Sequence, residues 1–84
     1  MKHHPAAREE IFKIIKDQME KNDPPMVKLT YNRLKRLKYD EEKILKLIGQ
    51  CLVIEIYHVM KHKKPFNEKR YMTNLQALPA SPTN

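Results

Sequence analysis

Apolar residues recur at spacings of three and four along four stretches of the chain, and Pro, Asn and Asp mark the joints between them. This pattern predicts an all-α fold: a compact bundle of four helices over about 5–22, 24–37, 41–62 and 68–78, with the third helix central. In the first helix the expected inner stripe is Ile11, Ile15 and Met19 with Phe12 and Ile14, and Pro5 supplies a first turn whose missing N–H does no harm. Within Asn22-Asp23-Pro24-Pro25, Asn22 suits the left-handed position that closes a helix, Asp23 is an expected cap, and the prolines fit a new first turn. The second helix should bury Val27, Tyr31, Leu34 and Leu37. Asp40 reads as the cap of the third, Asn67 as the cap of a short fourth carrying Tyr71, Leu75 and Leu78, and Pro79 ends the pattern. Residues 1–78 should form one helical domain and 79–84 a disordered tail.

The third helix departs from simple amphipathicity in two ways. At about 100° per residue, Glu55 falls in the same arc as Ile44, Ile48, Cys51, Leu52 and Val59, so a carboxylate stands on the core face and needs a partner. The opposite side is apolar too, with Val53, Ile56 and Met60, and Gly49 opens the same face. A helix of about 33 Å that is apolar all round needs cover on every side. Either the fourth helix folds back over this side, or a second subunit completes the cover, which makes Gly49, Val53, Ile56 and Met60 the candidate self-association residues.

Length and charge narrow the function classes. A chain of 84 residues holds one small core and little room for a deep cleft. The net charge of +7 allows anionic partners without naming one. A single cysteine excludes an internal disulfide and suits a reducing compartment. Met1-Lys2-His3-His4-Pro5 has no apolar segment of signal-peptide length, and no apolar run approaches the length needed to span a bilayer, so a cytoplasmic protein is expected.

Three chemical candidates remain. Glu55-x-x-His58-x-x-x-His62 puts three metal-capable side chains on one helical face, in the Glu-x-x-His spacing of di-metal bundles, but facing helices offer no further inward carboxylate, so no metal and no cofactor is expected and Glu55 reads as structural. Lys28, Arg33, Lys35, Arg36 and Lys38 form a run without any acidic residue between Met26 and Tyr39, and such a face can contact phosphates. No Ser-His-Asp set, glycine-rich phosphate loop or cysteine pair occurs, so no catalytic residue is assigned and an enzyme is not expected.

Gln18, the hinge Asn22-Asp23-Pro24-Pro25, Arg33-Leu34, and Ile48-Gly49 after an acidic helix start together resemble a family of short uncharacterised prokaryotic proteins, a domain of unknown function, over roughly residues 5–60. Where that family often carries histidines, this chain has Phe12, Glu42 and Lys46. The resemblance implies a compact helical fold and no assigned activity. The function expected from sequence is a noncatalytic helical interaction module, self-associating as a dimer or binding another protein; the alternative is a small basic nucleic-acid-binding protein.

Overall fold

The computed structural model describes residues 7–83. Four helices follow one another: α1 (Arg8–Lys21), α2 (Pro25–Arg36), α3 (Glu41–His62) and α4 (Glu68–Ala77). The expected start of the first helix at Pro5 lies outside the described residues.

Local chemistry sets most helix ends. Glu10 accepts the Ala7 N–H at 3.3 Å, which satisfies a donor before α1 begins. Asn22 closes α1 in the left-handed conformation, at φ 54°. Asp23 does not cap α2: the cap position is Pro24, no side chain bonds there, and Pro25 opens the helix. Asp40 caps α3 by accepting the Lys43 N–H at 2.8 Å, and Asn67 caps α4 by accepting the Arg70 N–H at 2.9 Å.

α2 and α3 form an inner pair, each touching all three other helices, while α1 and α4 lie on opposite sides of that pair with no close backbone approach to each other. Ile15, Val27, Leu34, Ile44, Ile48, Leu52, Tyr71 and Leu75 fill the space between. Gly49 belongs to the α1–α3 seam, where a β-carbon would stand 3.1 Å from Ile11 Cγ2; the missing side chain lets the two helices approach.

Three apolar assignments shift. Ile14 and Val59 face outward, and Leu37, just past the end of α2, is more than half exposed. Thr30 takes the buried place on α2 instead, one residue before the half-buried Tyr31, because α2 packs against α1, α3 and α4 together rather than along one stripe. Residues 79–83, expected as a disordered tail, are tied back: Thr83 N–H donates to Asn74 Oδ1 at 3.0 Å, and Asn74 Nδ2 donates to the Thr83 carbonyl at 2.9 Å.

Candidate functional site

α3 carries most of the chemistry, and its two sides do different work. On the inner side Glu55 is fully buried and receives three donors. Arg70 of α4 donates through Nε at 2.6 Å and through Nη2 at 3.0 Å, and the Asn67 N–H adds a third bond at 3.0 Å. Burial pushes the Glu55 carboxyl up, but the Arg70 hydrogen bonds, the Asn67 N–H and the Arg70 charge outweigh it and hold the group below its ordinary range. Sequence reasoning found the buried carboxylate and not its partner. The signal was the position of Arg70, three residues past the Asn67 cap and one before the inward Tyr71, which directs it back towards α3.

His58 and His62 stack on each other with ring centroids 5.3 Å apart, yet Glu55 does not join them as a metal ligand, since its oxygens are taken by Arg70 and Asn67. Among the described residues no group of three or more His, Cys, Asp or Glu side chains is placed to hold a metal ion. His58 Nε2 is buried without a hydrogen-bond partner. Burial, then the neighbouring Arg70 and His62, hold this imidazole below its ordinary pKa, which favours the neutral ring. Cys51 packs in the core, and burial pushes its thiol up to about 12, so it is a packing residue rather than a nucleophile.

The basic run divides. Arg33 turns inward and donates to the α4 carbonyls, Nη1 to Leu78 O at 2.9 Å and Nη2 to Leu75 O at 3.0 Å, so its guanidinium caps the end of α4. Lys28, Lys35, Arg36 and Lys38 remain exposed. Lys35 Nζ lies 5.8 Å from the centroid of the Tyr31 ring.

The outer side of α3 gathers all four candidate self-association residues along one groove. Gly49, Val53, Ile56 and Met60 line it together with Tyr57, with Ile11 and Phe12 of α1, and with Ser81 and Pro82; its volume is about 1120 Å³. Val53, Tyr57 and Met60 are 46%, 50% and 51% exposed. The backbones of α1 and α4 do not approach each other closely, and an apolar sector of α3 is left uncovered. Its charged edge is organised: Glu42 accepts from Arg8 at 2.9 Å and lies 3.6 Å from Lys46. The fourth helix therefore does not fold back over this side, as one expectation had it.

No family model, no curated protein and no solved structure matches the chain. No helix among the described residues is long and apolar enough to cross a membrane.

Proposed function

We propose that the protein is a noncatalytic helical interaction module that self-associates through the groove on the outer side of α3. The observation that carries this reading is the exposure of Val53, Tyr57 and Met60 on one face of one helix, along a groove lined mainly by apolar side chains. Three half-exposed apolar side chains in a row cost solvation, and a second apolar surface removes it. A reducing, cytoplasmic setting fits the single buried Cys51. Light scattering tests the reading. Wild-type protein at high micromolar concentration should have about twice the 10.1 kDa chain mass, and Val53→Glu should return it to one chain; a wild-type monomer overturns it.

Nucleic-acid binding is a second reading, favoured by the four exposed cations Lys28, Lys35, Arg36 and Lys38. It calls for weak binding without sequence preference that falls steeply between about 50 and 200 mM salt. Charge reversal at Lys35 and Arg36 should abolish it, and tight binding that survives physiological salt, or that depends on one sequence, overturns it.

A further inference from the structure

α3 has opposite charge at its two ends. Asp40, Glu41 and Glu42 stand at its start, and Lys61, His62, Lys63 and Lys64 at its finish. Along the groove, Lys46, Gln50, Val53, Tyr57 and Met60 follow each other at spacings of four, three, four and three, the repeat of a coiled-coil seam. A closed dimer formed through one such seam must be isologous, so the same patch has to complement itself about a two-fold axis.

Resting on the self-association reading, we infer that the occupant of the groove is a second copy whose α3 runs antiparallel to the first, with the two-fold axis passing between Cys51 and Leu52, the midpoint of α3. About that axis Lys46, Gln50, Val53 and Tyr57 exchange among themselves, while Met60 falls on Lys43 of the partner copy. Gln50 meets Val53, Lys46 meets Tyr57, and Glu42, one turn before the groove lining, meets Lys61. These three pairings are chemically matched. An ammonium over a tyrosine face is attractive, and the amide of Gln50 packs its methylenes on Val53. Glu42 already holds Arg8 and Lys46, and Lys61 adds a cation from the other copy. Antiparallel helices also place each dipole against its opposite. The parallel alternative sets Lys46 on Lys46, Lys61 on Lys61 and Glu42 on Glu42, three like-charge contacts.

A charge swap reads the register. Lys61→Glu and Glu42→Lys should each weaken the dimer about tenfold, since every exposed pair occurs twice in a two-fold complex. The double variant should return to within about threefold of wild type. Both sites are exposed, and retained helicity by circular dichroism guards against a folding artefact. In dimers mixed from isotope-labelled and unlabelled chains, Tyr57 ring protons should show intermolecular Overhauser contacts to Lys46; within one chain these residues are about 16 Å apart along the helix. A double variant as weak as the two singles combined, or ring contacts from Tyr57 to Tyr57, overturns the antiparallel register while leaving self-association standing. A wild-type monomer, or a dimer indifferent to Val53→Glu, removes the groove reading itself.

Discussion

Arg70 Nε lies 2.6 Å from Glu55 Oε2, and this contact joins the only carboxylate of the α3 core face to the side chain that follows the α4 cap. Removing the carboxylate leaves the half-buried Arg70 guanidinium and the Asn67 N–H without their acceptor. Glu55→Ala should therefore destabilise the fold by about 3–5 kcal/mol, whereas Glu55→Gln keeps shape and part of the hydrogen bonding and should cost less. Urea unfolding of the two variants checks the order. Equal losses would mean that packing volume, not the ion pair, matters at this position.

Acid should act through the same group. The Glu55 carboxyl is held below its ordinary value of 4.5 in the folded protein, so the folded state favours the ionised form. Its contribution is present above the unfolded pKa and is lost as pH falls through the folded one. Melting temperature should fall below about pH 4.5, and Glu55→Gln should flatten that fall. An unchanged slope in the variant would assign acid sensitivity to other carboxylates.

Alkali acts in the opposite sense. Burial raises the Cys51 thiol from 9.0 to about 12, so folding favours the protonated thiol and its contribution is lost as pH rises from the unfolded value towards the folded one. Tyr71 is shifted upward in the same direction, first by burial and then by the neighbouring Cys51, while its hydroxyl donates to Gln18 Oε1 at 2.9 Å. Stability should decline from about pH 9 upward. At pH 8 an aromatic disulfide reagent should modify Cys51 only at the rate of unfolding; prompt labelling of native protein would contradict its burial.

Lys38 sits at φ 76°, a conformation that costs a residue with a β-carbon about 1 kcal/mol and glycine little. Lys38→Gly should raise stability by up to about 1 kcal/mol in thermal unfolding. A loss would show that the lysine side chain makes a contact worth more than the strain.

The four helices were legible because each ends where its own residues end it. Asp40 and Asn67 cap through their side chains, Asn22 turns left-handed, and the apolar spacing does the rest. Partnerships between helices were less legible. Arg33 and Lys35 look alike in a basic run, and only the position of α4 turns one inward while the other stays in water. Gly49 likewise reads as an opening on an outer face, and the α1 approach makes it a seam residue that also borders the groove. Glu55 could be placed on the core face by angle alone, but its partner lies 15 residues further on and across a joint between helices.

The two arginines have a joint consequence for how little of the chain can be removed. α4 has only ten residues, too few for a helix to persist alone in water. Glu55 receives the backbone and side chain at its beginning, and Arg33 receives the carbonyls at its end. Cutting the chain after His62 would leave a carboxylate on α3 and a guanidinium on α2 that had each lost its counterpart in the same stroke. A three-helix core is thus not a smaller version of this domain, and α4 is less an appendage than the clasp that lets a buried carboxylate and a half-buried guanidinium coexist with an apolar interior.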